Sequence, residues 1–448
     1  MKKYIQFVFL CFVSVAFAYK LDVDNILKQR VNGKTCFGMV VAVIEPEGIK
    51  YYSAGKLGLN DPRPMDENVI FEVGSLTKAF TAVMLQEMND RGELSLDDPM
   101  DKFYDESVKI PTFKGRKILL KHLMTHTSAL PYLPYNFDCS NAANPFETYR
   151  MEQVFQFMGW YDLPRPSGYV YDYSNFGVGM VGHIISSGSK EGYERLLQER
   201  ICKPLELKDT TMFLSEEQKQ RRARPHMGEK EVPFWDFPIF YGTGGIHSTA
   251  KDIAKFVEAN LGLCESNLFA SMDKSHQYRA PADEPHVKIA LGWHRNHLHN
   301  PNIVYHNGST GGIRTHMSFC PDTKRGVVIL SNSSVNIYEL GFHIVDPKQH
   351  RLPKLTREIF LEPMILDRYV GKYRHPSGLV FAITRQKNQL FCELTGYPTV
   401  PIFPETETRF FPKVVTGTVD FHFDEVSGKV KSLSFSYAGT IHPGEKID

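Results

Sequence analysis

Apolar positions along the chain fall into three textures. The first is a block. Met1-Lys2-Lys3 makes a short basic start, and YIQFVFLCFVSVAFA at 4–18 holds only Gln6 and Ser14 as polar residues before ending in Ala16-Phe17-Ala18. About 15 residues fall short of the roughly 20 that a spanning helix needs, and the small-x-small ending is the spacing at which a signal peptidase cuts. Leu10 precedes Cys11 where a lipoprotein box has a small residue. The expectation is a secretory leader at 1–18 cut after Ala18, no membrane span, and a periplasmic or secreted mature chain.

The second texture, from about 36 to 350, alternates extended and helical patterns. CFGMVVAVIE at 36–45 is an apolar run, PEG at 46–48 a turn, and IKYYSAG at 49–55 a return strand, which together predict a β-hairpin. Residues 75–89 contain no glycine or proline and Gly92 follows, so a buried helix is expected there. Tyr193, Leu196, Leu197 and Ile201 fall on one helical face. Clusters of Pro and Gly at 131–135, 164–168 and 242–245 mark loops.

The third texture begins at 366, beyond which no helical period occurs. Short strands are predicted at 379–384, 389–394, 418–423 and 430–435, with Ser427-Gly428 as a hairpin turn between the last two. This pattern implies a small antiparallel barrel or sandwich at 366–448, joined by a linker at 351–365 that carries Pro353 and Pro363.

Composition narrows the function. The 448 residues carry Lys+Arg 52 against Asp+Glu 51, a net charge of +1, which excludes the basic footprint of a nucleic-acid binder. After the leader, six cysteines remain (Cys36, Cys139, Cys202, Cys264, Cys320, Cys392), spaced too widely for a small disulfide scaffold. Buried free thiols fit as well as bridges. No CxxC occurs, so a zinc ribbon has no support.

The chemistry concentrates in FEVGSLTK at 71–78. A serine on the first turn of a helix, with a lysine three residues on, puts both side chains on one face. The lysine can take the serine proton once burial lowers its pKa, and the helix N-terminus favours a developing oxyanion. Ser-x-x-Lys also occurs at Ser53, Ser187, Ser248 and Ser271, but only Ser75 follows a glycine at the head of a breaker-free apolar helix. Two further motifs come later in the chain: Tyr173-Ser174-Asn175, and then His306-Asn307-Gly308 ahead of Ser309.

In these three motifs the chain resembles the serine hydrolase family of class C β-lactamases, low-molecular-weight D-Ala-D-Ala carboxypeptidases and related esterases. GELSLDDP at 92–99, LMTHTSALP at 123–131, GGIHSTAKD at 244–252 and Leu291-Gly-Trp293 match as well, so the similarity spans about 36 to 340. The tail, through LDRYVGKY at 366–373 and LFCELTG at 390–396, resembles the lipocalin-like β-domain appended to many such hydrolases. The resemblance implies a β-lactamase/transpeptidase-like α/β (α+β) fold at 19–350, with an antiparallel sheet flanked by helices, a helical subdomain and a C-terminal barrel. It implies Ser75 as the acylated nucleophile, Lys78 as its proton partner and Tyr173 as proton shuttle. Asn175 would bond the substrate amide or the lysine, and the backbone N–H groups of Ser75 and Ser309, beside Gly308, would form the oxyanion hole. No metal and no cofactor is called for.

Two departures stand out. The lactamases carry lysine where His306 stands, and a histidine with an unperturbed pKa near 6.5 is mostly neutral at pH 7. Weak β-lactam hydrolysis is therefore expected, with D-amino-acid peptides, including peptidoglycan fragments, or small esters preferred. Ala129 replaces the family's usual glycine. The alternatives are a true class C-like β-lactamase and a binder of penicillin or peptidoglycan that acylates and stalls; an intact Tyr173 speaks against the binder, since deacylation needs a base.

Other constellations carry less. His294, His297 and His299 read as a polar hairpin tip rather than a metal cluster, and His122 with His126 as structural. KQRRAR at 219–224 reads as a solvated surface run. The sequons at Asn307 and Asn332 read as chance, because a glycan on Asn307 would fill the proposed site.

Overall fold

The computed structural model describes residues 21–447 apart from 33–35, 139–140, 142, 278, 283–286, 297–301, 353–357, 396–398, 413–416 and 438–439. The expected leader, Cys139, His297, His299 and Pro353 lie outside the described residues.

The predicted hairpin forms as Gly38–Glu45 and Gly48–Gly55. It opens an eight-stranded antiparallel sheet that continues through Arg325–Ser331, Arg314–Cys320, Ile303–Ser309, His294–Asn296, Val287–Ile289 and Ala280–Pro281. The Gly38–Glu45 strand is apolar at nearly every position because both of its faces are covered. Met39, Val41 and Val43 pack with Val327 and Ile329 beneath the helices Val23–Asn32 and Tyr338–Val345. Val40, Ala42 and Ile44 pack with Val328 and Leu330 on the opposite face, in a much larger cluster. That cluster includes Ile253, Phe256 and Val257 of the helix Ala250–Asn260.

The helical side of the molecule is built around Thr77–Asp90, whose residues from Thr77 to Glu87 are all buried. A helix buried on every side belongs in a core. Against it lie Asn175–Ile185 and the short turn Tyr241–Gly244. The amphipathic segment at 193–201 forms Lys190–Leu197 and runs on into a wider π-turn at Gln198–Cys202.

The tail is a closed eight-stranded antiparallel barrel from Gly371–Arg374 to Thr440–Lys446. It begins with a feature the strand pattern missed, the helical turns Pro363–Leu366 and Asp367–Tyr369. Leu366 and Tyr369 are buried and plug its interior. Leu361 and Ile365 also pack on this core, and Ile359 N–H donates to the Pro404 carbonyl, so residues from the expected linker join the barrel. Cys36, Cys202, Cys264, Cys320 and Cys392 are free thiols. Among the described residues no helix is long and apolar enough to cross a membrane, and no group of three or more His, Cys, Asp or Glu could hold a metal ion.

Candidate active site

Ser75 sits in a 3-10 turn, Gly74–Leu76, that feeds the buried helix. Two glycines let this turn lie directly on the Ile303–Ser309 strand. Gly74 has φ +53°, and a Cβ there would meet Ser309 N at 2.8 Å; at Gly308 a Cβ would come 2.2 Å from the Val73 carbonyl. The left-handed backbone and the close approach both require glycine. Thr315 Oγ1, across the ladder from Gly308, donates to the same Val73 carbonyl at 2.8 Å.

Lys78 Nζ lies 2.9 Å from Ser75 Oγ and donates to the Thr243 carbonyl at 2.9 Å. The side chain is fully buried, 0% exposed. Burial alone drives its pKa well below the ordinary lysine value, as expected for an ammonium taken out of water with no carboxylate to offset the loss. Tyr173 OH donates to Ser75 Oγ at 3.3 Å, and Lys78 Nζ stands 5.2 Å from the Tyr173 ring centre. Burial pushes the Tyr173 phenol well above its usual value, partly relieved by the Ser75 bond and reinforced by Tyr132, Tyr171 and Tyr338. Both shifts favour the uncharged forms, an amine and a phenol on either side of the Ser75 hydroxyl. In that state Ser75 can donate to Lys78 while accepting from Tyr173.

Tyr173 is held in place by the helix cap next to it and by a histidine ring that covers it. Ser174 caps the helix Asn175–Ile185, its Oγ accepting from Gly177 N–H at 2.8 Å and donating to the Pro131 carbonyl at 2.7 Å. Ser174 N–H also donates to His126 Nδ1 at 3.1 Å, so the His126 proton is on Nε2, and that ring stacks on Tyr173 at 4.2 Å. His126 thus has a definite place against the site. Ala129, three residues on, adopts φ +63°, the left-handed region that explains why glycine is usual there.

His306 is buried at 2% exposure. Its Nδ1 lies 2.7 Å from the Asn307 carbonyl, which can only accept, so Nδ1 carries the proton. Nε2 is left as a buried acceptor without a protein partner. Burial, then His294 and Lys78, hold the imidazole well below its ordinary pKa, which sharpens the expectation of a neutral group. Asn175 Oδ1 accepts from Thr243 Oγ1 at 3.1 Å, and Lys78 takes the Thr243 carbonyl instead.

Sequence reasoning missed two participants. Thr243 contributes a backbone carbonyl, which leaves no trace in residue type; the available signal was the run Gly242, Gly244 and Gly245. A Cβ on Gly182 would come 2.8 Å from Gly242 Cα, and this glycine-to-glycine contact lets the turn reach Lys78. His294 was expected at a polar hairpin tip. It is half-buried instead, with Nε2 at 3.3 Å from Tyr171 OH and its ring 5.2 Å from that of His306; burial and then Lys78 push it down to about 4. The sequon at Asn332 is fully buried, with Nδ2 donating to the carbonyls of Lys56 and Leu57.

A serine flanked by a buried lysine and a tyrosine is an arrangement suited to a serine hydrolase, and the family comparison agrees. The Beta-lactamase family profile matches residues 23–341, and a domain of unknown function (DUF3471) matches 358–444. The chain belongs to the Beta-lactamase family. It is 24% identical over 425 residues to Penicillin-binding protein 4* of Bacillus subtilis (strain 168), covering 88% of this chain and 91% of that one. It is 28% identical over 326 residues to the D-alanyl-D-alanine-carboxypeptidase/endopeptidase AmpH of Escherichia coli (strain K12), covering 70% and 83%. In fold it is similar to the octameric penicillin-binding protein homologue from Pyrococcus abyssi, with TM-score 0.64 and 21% identity over 94% of this chain and 100% of that one.

Proposed function

We propose that this chain is an exported serine hydrolase that works through an acyl-enzyme on Ser75. Its preferred acyl donors are D-amino-acid-containing peptides, cleaved in carboxypeptidase fashion, or small esters. The observation that carries the reading is Ser75 Oγ held between Lys78 Nζ at 2.9 Å and Tyr173 OH at 3.3 Å. The neutral Lys78 takes the proton from Ser75 as its oxygen attacks the carbonyl carbon. The protonated Tyr173 is placed to pass a proton to the leaving group, and the reverse transfer activates the water that deacylates the enzyme. The N–H groups of Ser75 and Ser309 meet the oxyanion, a role supported by the contact of Gly74 with the Ser309 backbone.

His306 supports the substrate preference. A neutral imidazole with its proton turned to the Asn307 carbonyl has neither the charge nor the free donor to grip a carboxylate, which weighs against β-lactams and supports the ester branch, since a small ester needs no such grip. AmpH, named as a carboxypeptidase/endopeptidase, supports the peptide branch.

The test combines mass spectrometry with a substrate screen. A fluorophosphonate is expected to label Ser75, and Ser75→Ala to lose both the label and on the order of 1,000-fold or more in kcat. Turnover of short-chain esters and D-Ala-D-Ala peptides should exceed that of cephalosporins. No adduct on Ser75 overturns the mechanism. Faster cephalosporin turnover overturns the preference in favour of a β-lactamase, and a stable penicillin adduct with no turnover of any substrate makes the chain a binder.

A further inference from the structure

Three residues before Ser75, the strand Ile70–Glu72 ends in a carboxylate that is 4% exposed. Glu72 Oε1 accepts the Trp235 backbone N–H at 2.6 Å, and Oε2 accepts the Thr310 hydroxyl at 2.8 Å. Thr310 follows Ser309 directly. Its carbonyl is held by Arg314 Nη1 at 3.1 Å, so the residue is fixed at both its side chain and its backbone. Together with the bond from Thr315 to the Val73 carbonyl, the Glu72–Thr310 bond stitches the serine turn to the strand opposite it.

We infer that Glu72, acting through Thr310, is a positioning residue that sets the spacing between the Ser75 and Ser309 backbone N–H groups. This rests on the reading of Ser75 as the acylated residue and of those two groups as the oxyanion donors. Each donor must lie at about 2.7–3.1 Å from the developing oxyanion, and a displacement of about 1 Å costs on the order of 100-fold. A bond spanning 238 residues of sequence, one residue beyond Ser309, acts on that spacing directly.

The state of the carboxyl sets how firmly the stitch holds. Ionised, both oxygens accept, and Thr310 and Trp235 are satisfied. Protonated on Oε2, the acid would donate to Thr310 Oγ1 instead, so the bond reverses, loses its charge assistance and leaves the Thr310 hydroxyl hydrogen to find another acceptor. The groups facing Glu72 oppose one another. Burial raises its pKa; the Thr310 and Trp235 bonds and the Arg222 charge lower it, and Asp236 raises it again, leaving it at about 7. Arg222 itself is engaged elsewhere, over the Phe234 ring at 3.3 Å and 3.3 Å from His247 Nε2. His247, the strand partner of Glu72, is pushed down to about 3 by burial and is uncharged in this range. Glu72 therefore changes charge within the working range of the enzyme.

The experiment measures kcat, KM and the rate of Ser75 labelling by a fluorophosphonate from pH 5 to 9, using a short-chain p-nitrophenyl ester and the full chain. Thr310→Val is expected to lower kcat and the labelling rate by on the order of tenfold with KM within about twofold. Thr310→Ser, which keeps the hydroxyl, restores both. The wild type shows an acid limb near pH 7 that is absent in Glu72→Gln and in Thr310→Val. If Glu72→Gln fails to fold, the Thr310 pair decides alone. Unchanged rates in Thr310→Val, or an acid limb that survives both substitutions, overturn the inference and leave the reading of Ser75 standing. A wild type without a Ser75 adduct removes that reading and the inference together.

Discussion

The two halves of this molecule use their interiors in opposite ways. The sheet-and-helix unit buries Lys78, Glu72, His126, Asn175, His306 and His316, along with a dozen or more serines and threonines. The barrel, among its described residues, buries no polar or charged side chain beyond its tyrosines; its interior is Leu366, Tyr369, Tyr373, Phe381, Ile383, Leu390, Ile402, Phe410, Val419, Phe421 and Leu433. Both buried tyrosines there find backbone acceptors, Tyr369 at the Glu407 carbonyl and Tyr373 at the Tyr369 carbonyl. Each buried ionisable group costs stability that an apolar residue would not. A region that retains many of them does so for chemistry, and a region with none is built to fold. The difference agrees with placing the proposed active site in the first unit.

The strongest way to break this contrast is to make the first interior resemble the second. Lys78→Met replaces the buried amine with an apolar chain of similar length. Turnover should fall by on the order of 1,000-fold, while the folded state at pH 7 gains about 1 kcal/mol, the relief of lysine burial outweighing the loss of the bond to the Thr243 carbonyl. The sign with pH is fixed. The folded-state pKa of Lys78 lies well below 10.5, so between the two values the unfolded chain binds the extra proton, and stability rises with pH through that window. Urea unfolding at pH 7 and pH 9 should show this rise in the wild type and a smaller one in Lys78→Met. A variant less stable than the wild type at both pH values contradicts the assignment of Lys78 as a destabilising functional group.

A second effect of intermediate size concerns acid. Burial pushes His276 and His316 down to about 3 and His294 to about 4. Each stays neutral in the fold and takes a proton once unfolded below about pH 6.5, so stability from these groups is lost as pH falls from there toward 4. The barrel buries no histidine among its described residues. Hydrogen exchange at pH 4.5 should find the catalytic unit opening while the barrel amides stay protected, and the reverse order would contradict the contrast.

How much of this could be read from sequence follows the same division. The Gly38–Glu45 strand, the helix after Ser75 and four of the eight barrel strands were legible because burial imposes a period on residue type. The grouping of Ser75, Lys78 and Tyr173 was legible because the proposed chemistry needs those side chain types. The Thr243 carbonyl was not, since any residue supplies one and the partner is 165 positions from Lys78. His294 was misplaced because local polarity suggested a surface turn, whereas its strand pairs with Ile303–Ser309 and carries the ring toward His306. The helical turns at 363–369 were hidden by brevity: a segment shorter than two turns gives no helical period, and only the burial of Leu366 and Tyr369 justifies it.

The smallest effect expected on activity comes from the largest disturbance of the barrel. Phe421 is buried among Tyr369 at 4.6 Å, Phe410 at 5.4 Å and Tyr373 at 5.9 Å. Phe421→Ala deletes an aromatic ring from a packed apolar interior, which costs about 3–5 kcal/mol where the site cannot collapse. Because the residues grouped around Ser75 belong to the other unit, kcat for a small ester should stay within about twofold of wild type. Thermal unfolding followed by scanning calorimetry should show the barrel's share of the transition moving to lower temperature. If kcat falls as sharply as it does in Lys78→Met, the barrel is part of the catalytic machinery, and its apolar interior is no guide to its role.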